Sequence, residues 1–110
     1  MDYISESESE AKRFLFDAKL KEITELTNVY YDPPESVLME YPAIVYKKTN
    51  MPARYANNKK YIKRLAFEVK VIAEDADTKY VDLINDMDFS HYDRHYVADD
   101  LHHDVFTIIF

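Results

Sequence analysis

Apolar residues near the N-terminus recur at the spacing of an α-helix. One broad arc of a helical wheel contains Leu15, Phe16, Leu20, Ile23 and Leu26. This pattern predicts a helix over about residues 9–27 that packs against the rest of the protein. A second set, Ala11, Phe14 and Ala18, lies beside that arc. We therefore expect the helix to have a spare apolar flank in addition to the flank that meets its own sheet.

Short motifs mark the beginnings of two predicted helices. Ser7 followed by Glu10 is typical of a capping box, and it leaves residues 1–6 as a flexible tail. Asp77 or Thr78 can cap a second helix. The apolar positions of that second helix are Val81, Leu83, Ile84 and Met87.

The remaining apolar residues indicate β-strands. Alternation of apolar and polar positions predicts long strands over residues 61–72, 89–97 and 103–110. Shorter apolar runs at 29–31 and 43–46 predict two further extended segments, of which the first is the weaker. The turn at residues 98–100 predicts a hairpin between the last two strands, although it lacks the Asn-Gly signature.

These elements predict one α+β domain that spans residues 1–110. Its expected order is α-β-β-loop-β-α-β-β. We expect a mainly antiparallel sheet of about four strands, two helices packed on one face, and an extended loop over residues 49–60. A chain of 110 residues with 47% apolar and 15% aromatic side chains can bury a core of this kind.

Glycine and cysteine are both missing from the chain. Phosphate-binding loops and nucleophile elbows need glycine, so the sequence predicts no nucleotide cofactor and no chemistry of that type. Without cysteine there is no disulfide framework and no thiolate nucleophile. No apolar run approaches the about 18 residues of a membrane span, so we predict no membrane partner. We predict that the protein is not an enzyme.

The net charge of −7 is unevenly placed. Residues 41–73 hold eight basic residues and one acidic residue, which gives +7, while the remainder holds six basic and twenty acidic residues, which gives −14. Bases alternate with aromatics over residues 54–64, a composition that also suits single-stranded nucleic acid. Because the flanks are strongly acidic, an arm that reaches an acidic neighbouring subunit is the preferred interpretation. The predicted interface residues are Arg54, Tyr55, Lys59, Lys60 and Phe14.

The four histidines offer a competing hypothesis. If the last two strands pair, His91 or His95 could approach His103 or Asp104, which would make a site of two histidines and one carboxylate for a metal ion. Polar positions on a half-exposed hairpin are the simpler interpretation, so we predict no metal site.

Three stretches together carry a family resemblance: Tyr41-Pro42-Ala43-Ile44-Val45-Tyr46, Arg54-Tyr55-Ala56-Asn57-Asn58-Lys59, and residues 96–106, which read YVADDLHHDVF. In order and spacing they resemble the small head–tail joining proteins of long-tailed bacteriophages, in particular the tail terminators. The resemblance covers about residues 29–110.

The resemblance implies an α/β subunit of a virion ring, expected to be a hexamer of the chain itself. Such a ring, assembled in the host cytoplasm, caps the tail tube protein, ends its polymerisation and joins the tail to a head-side connector or stopper protein. DNA passes through its lumen without specific binding. Another neck, connector or minor structural protein of the phage, and a nucleic-acid-binding accessory protein that uses residues 54–64, remain alternatives.

Overall fold

The computed structural model describes residues 6–50 and 64–110. In chain order, its elements are α1 (Glu6–Thr24), β1 (Val29–Tyr31), β2 (Ala43–Thr49), β3 (Ala66–Ala73), α2 (Lys79–Asn85), β4 (Ser90–Ala98) and β5 (Leu101–Ile109). The α+β class is confirmed. The predicted tail, apart from its last residue, and the predicted loop beyond residue 50 lie outside the described residues.

The sheet is mixed and has five strands in the order β1-β2-β3-β5-β4. Strand β1 pairs in parallel with β2, with Val29 opposite Ile44, and the other neighbouring strands are antiparallel. The prediction of about four strands was therefore one short. A three-residue strand carries little periodicity of its own, and β1 exists because β2 offers it backbone partners.

Both helices pack on the same face of the sheet and bury one apolar core. Phe16 of α1 stacks on Phe67 of β3, with ring centroids 4.2 Å apart and planes at 8°. Ile84 of α2 belongs to the same cluster, together with Phe106 and Ile108 of β5. Strands β2, β3 and β5 lie inside the sheet, and most residues of β3 and of the second half of β5 are buried.

The ends of α1 differ from those predicted. The helix already includes Glu6, so it begins earlier than the predicted residue 9. It ends at Thr24 because Glu25 takes the left-handed conformation, with φ of 60°. Leu26 is therefore outside the helix, although it still packs against the core.

Two other local predictions are confirmed. Thr78 caps α2, where its hydroxyl oxygen accepts a hydrogen bond of 3.4 Å from the backbone N–H of Tyr80. The hairpin between β4 and β5 turns at Asp99 and Asp100, whose φ angles are 53° and 61°. Two consecutive left-handed residues suit a tight hairpin, and aspartate tolerates this region better than most side chains.

Candidate functional site

The inner face of α1 meets the sheet with a mixture of apolar and polar side chains. Its buried residues are Ser9, Phe16, Leu20 and Thr24. The hydroxyl groups of Ser9 and Thr24 both form hydrogen bonds. Lys48 Nζ donates to Ser9 Oγ at 3.1 Å, and Thr24 Oγ1 donates to the carbonyl oxygen of Leu20 at 2.7 Å. Buried polar groups cost little when they are paired in this way, so a half-polar face still docks onto the sheet.

The outer face of α1 is apolar and points away from the sheet. Four exposed residues spaced three or four apart form this outer stripe: Ala11, Phe14, Leu15 and Ala18. Phe14 is 60% exposed and Leu15 is 62% exposed. At about 100° per residue the stripe lies directly opposite Ser9, Phe16 and Leu20.

The predicted core arc of α1 was therefore wrong at Leu15. The arc was predicted from apolar character alone. It therefore assigned Leu15 to the buried face of the helix and omitted Ser9 and Thr24, which are buried. The signal that could have corrected it is the spacing of Ala11, Leu15 and Ala18, which by itself describes a complete second stripe. The predicted spare apolar flank is present in the structure as this outer stripe.

A polar network fixes the rotation of α1 on the sheet. Asp17 accepts a hydrogen bond of 2.7 Å from the hydroxyl of Tyr46 and forms an ion pair of 2.8 Å with Lys21. Burial raises the pKa of Tyr46 well above its usual value, and the hydrogen bond to the Asp17 carboxylate raises it further. Because this network holds one edge of the helix against β2, the outer stripe keeps a fixed outward orientation.

The ring of Phe14 contacts the neighbouring side chain of Arg13. The guanidinium of Arg13 lies 4.7 Å from the ring centroid of Phe14 and 4.5 Å from that of Tyr31 in β1. Arginine over aromatic faces is a favourable arrangement that limits the motion of both rings. The exposed aromatic ring is thus held in place on the surface.

Phe14 is the one predicted interface residue that the structure describes. Arg54, Tyr55, Lys59 and Lys60 lie outside the described residues, as does most of the basic segment 54–64. Arg64, at the end of that segment, places its guanidinium 4.9 Å from the ring centroid of Phe89. The proposed arm therefore stays a prediction.

The histidines of the β4–β5 hairpin are divided between the two faces of the sheet by a β-bulge. The register shifts between Tyr92 and Arg94, so that Asp93 is an extra residue in β4. His95 then lies opposite Asp104 on the helix-bearing face, whereas His91 lies opposite Thr107 on the other face. Without the bulge, strict alternation would put His91 and His95 on the same face.

The contacts of the histidines differ from those of the competing hypothesis. His95 Nε2 lies 3.0 Å from His102 Nδ1, and the two rings lie edge to edge with their centroids 5.2 Å apart and their planes at 22°. His103 lies on the other face, where its ring stacks on Tyr96 with centroids 4.5 Å apart. Asp104 is buried and accepts a hydrogen bond of 2.8 Å from the hydroxyl of Tyr92. Sequence reasoning missed His102 because nothing in the composition reveals a bulge.

The set of two histidines and one carboxylate that the competing hypothesis requires is not assembled. Within residues 6–50 and 64–110, no group of three or more histidine or acidic side chains is arranged to hold a metal ion. In the same part of the chain no helix has both the length and the apolar character to cross a membrane.

Comparison with models of protein families, with curated protein sequences and with solved structures finds no match to this chain. The resemblance to tail terminators stays a prediction.

Proposed function

We propose that this chain is the subunit of a homo-oligomeric ring of the tail-terminator type. The ring caps the tail tube, ends its polymerisation and joins the tail to the head-side connector. The observation that carries the proposal is the outer stripe of α1, an exposed apolar row on a helix whose opposite face already packs on its own sheet.

The outer stripe supports a contact with another copy of the chain. Large apolar side chains at the surface of a rigid helix gain about 1.5–3 kcal/mol each when a partner covers them. Phe14 and Leu15 lie at the two sides of the outer stripe, about 100° apart around the helix axis, so a partner that covers the stripe buries both. A contact of this size can anchor an interface whose remaining area is polar.

The distribution of charge supports a second copy as that partner. Segments 1–40 and 74–110 are acidic, and segment 41–73 is basic. A ring needs a head-to-tail contact, in which one surface of a subunit meets a different surface of the next. A basic segment that meets an acidic neighbour satisfies this requirement and fixes the direction of assembly.

The net acidic character also suits the passage of DNA. A ring of subunits that each carry −7 repels phosphate from most of its surface, so DNA slides through without being held. Binding of nucleic acid by residues 54–64 remains an alternative, and those residues, apart from Arg64, lie outside the described part of the chain.

The assembly test compares two matched leucine substitutions. Leu15→Glu places a charge in the outer stripe, and Leu38→Glu makes the same chemical change at a leucine that is 96% exposed in the β1–β2 connection. We expect Leu15→Glu to convert rings to monomers, because burial of an unpaired carboxylate costs more than the contact gains. Leu38→Glu is expected to leave the assembly intact. Mass photometry or sedimentation velocity measures the difference.

Three results would contradict the proposal in different ways. A wild-type chain that stays monomeric, alone and beside its tail tube, would exclude the ring. A ring that survives Leu15→Glu but not Leu38→Glu would move the contact away from α1. A ring that forms normally and fails to stop growth of tail tubes in vitro would favour the alternative of another neck or connector protein.

A further inference from the structure

Two histidine side chains meet edge to edge across β4 and β5, where their facing nitrogens are close enough to share one ligand. His95 Nε2 and His102 Nδ1 are 3.0 Å apart, and both rings lie on the helix-bearing face of the hairpin. His95 is exposed and His102 is half-buried, so a solute can reach the pair from one side. The two strands are joined by the tight turn at Asp99 and Asp100, which limits how far the rings can separate.

We propose that His95 and His102 bind one divalent transition-metal ion as a bidentate site. In the metal-free pair the two nitrogens point at each other along their hydrogen bond, so each ring must turn about its side-chain bonds before both lone pairs can meet one ion at about 2.05 Å. His95 is exposed, which leaves room for its ring to turn. Imidazole nitrogens suit Cu²⁺, Ni²⁺ and Zn²⁺, and the general order of affinities places Cu²⁺ first among them.

Binding of the metal ion to the two histidines needs no additional proton donor or acceptor. In the metal-free pair one ring carries the proton that lies between the two nitrogens, and the other ring accepts it. When the metal binds, that proton moves to the second nitrogen of the same ring, and both facing nitrogens offer a lone pair. Each imidazole stays neutral. Water occupies the remaining coordination positions, because the site has two protein ligands only.

The neighbours of the pair are compatible with a cation. Asp104 lies directly opposite His95 in the strand register, and its carboxylate is held by Tyr92. A buried carboxylate next to the site favours a positive charge there and does not need to be a ligand. The matching pair on the other face is absent, because His103 stacks on Tyr96 and its Nδ1 lies 3.0 Å from the carbonyl oxygen of Leu101.

The test is a titration of the untagged full-length chain with Ni²⁺ or Cu²⁺ at about pH 7.5, where imidazole is largely neutral. We expect one ion per chain by calorimetry. His95→Ala and His102→Ala should each weaken binding at least about tenfold, since each removes one of the two ligands. His91→Ala is the matched control, because it removes a histidine from the same strand on the opposite face.

The expected spectroscopic signature is specific to this geometry. Substoichiometric Cu²⁺, which is paramagnetic, should broaden the nitrogen-15 signals of His95 and His102 more strongly than those of His91, and the far-ultraviolet circular dichroism of all variants should match that of the wild type. Failure of the wild type to bind either ion would overturn the proposal. Equal loss of binding in His91→Ala would also overturn it, as would retention of binding in His102→Ala. The result does not depend on whether the chain forms a ring.

Discussion

The two faces of helix α1 carry comparable apolar side chains in opposite surroundings. On the inner face Phe16 is completely buried against the sheet and stacks on Phe67. On the outer face Phe14, two residues earlier, is 60% exposed over Arg13. The difference shows that side-chain type alone does not assign a role: Phe16 stabilises the subunit, while Phe14 is available to a partner.

The largest effect is expected from truncating the inner phenylalanine. Phe16→Ala leaves a cavity beside Phe67, Tyr46 and Phe110, and we expect it to lower the free energy of unfolding by about 3–5 kcal/mol. The matched change Phe14→Ala should alter it by no more than about 0.5 kcal/mol in dilute, monomeric protein. Urea unfolding of both variants measures the contrast. Equal losses would mean that the outer face also serves the fold.

A smaller loss of stability is expected where α1 meets the sheet through polar groups. Tyr46→Phe removes the hydrogen bond to Asp17, which should cost about 1.5 kcal/mol near neutral pH because the acceptor is charged. The control is Tyr30→Phe, on an edge strand and without a described hydrogen bond to a carboxylate. A Tyr46→Phe variant as stable as the wild type would show that the network does not fix the helix.

The same tyrosine also makes a prediction about alkaline pH. Its pKa in the folded protein is raised above the ordinary value of 10.0, so above pH 10.0 the unfolded chain loses its proton first. Stability should fall as pH rises past 10.0, by up to about 1.4 kcal/mol per pH unit from this one group. The Tyr46→Phe variant should lack that component, and unfolding curves between pH 9 and 11 provide the comparison.

The smallest expected effect is a gain in stability, at the turn between β4 and β5. Asp100 holds a φ of 61° in a chain without glycine, so Asp100→Gly should stabilise the protein by about 0.5–1 kcal/mol. Asp88→Gly is the control, since Asp88 is exposed and is not among the residues with positive φ. That variant should be neutral or less stable. Thermal unfolding distinguishes the two, and a loss of stability in Asp100→Gly would contradict the expected turn geometry.

The parts of the fold that the sequence predicted are those set by local patterns. Alternation identified the segments around Val69 and Phe106, and the hydroxyl of Thr78 marked the start of α2. What it indicated only weakly or missed depends on pairing and packing. Strand β1, the weaker of the two short predicted segments, is stabilised by pairing with β2. Thr24 is buried although it is polar, and its hydroxyl donates to the carbonyl oxygen of Leu20 one turn earlier in the helix.

The candidate sites were predictable to different degrees. The outer stripe can be deduced from the positions of Ala11, Leu15 and Ala18 once a helix is assumed. The histidine pair cannot be deduced, because one extra residue in β4 decides which face His95 occupies. Register is set by backbone geometry over the whole hairpin, and no motif in the sequence marks the bulge at Asp93.

That bulge also bears on how copies of the chain can aggregate. Strand β4 is nine residues long and forms one edge of the sheet, where unpaired backbone groups can recruit a strand from another molecule. The extra residue interrupts the regular row of these groups, and the ion pair of Asp93 with Arg94 keeps charge on the same edge. This edge of the sheet is thereby a poor template for amyloid-like growth, so copies held close together in the proposed ring would not extend one another's sheets through β4.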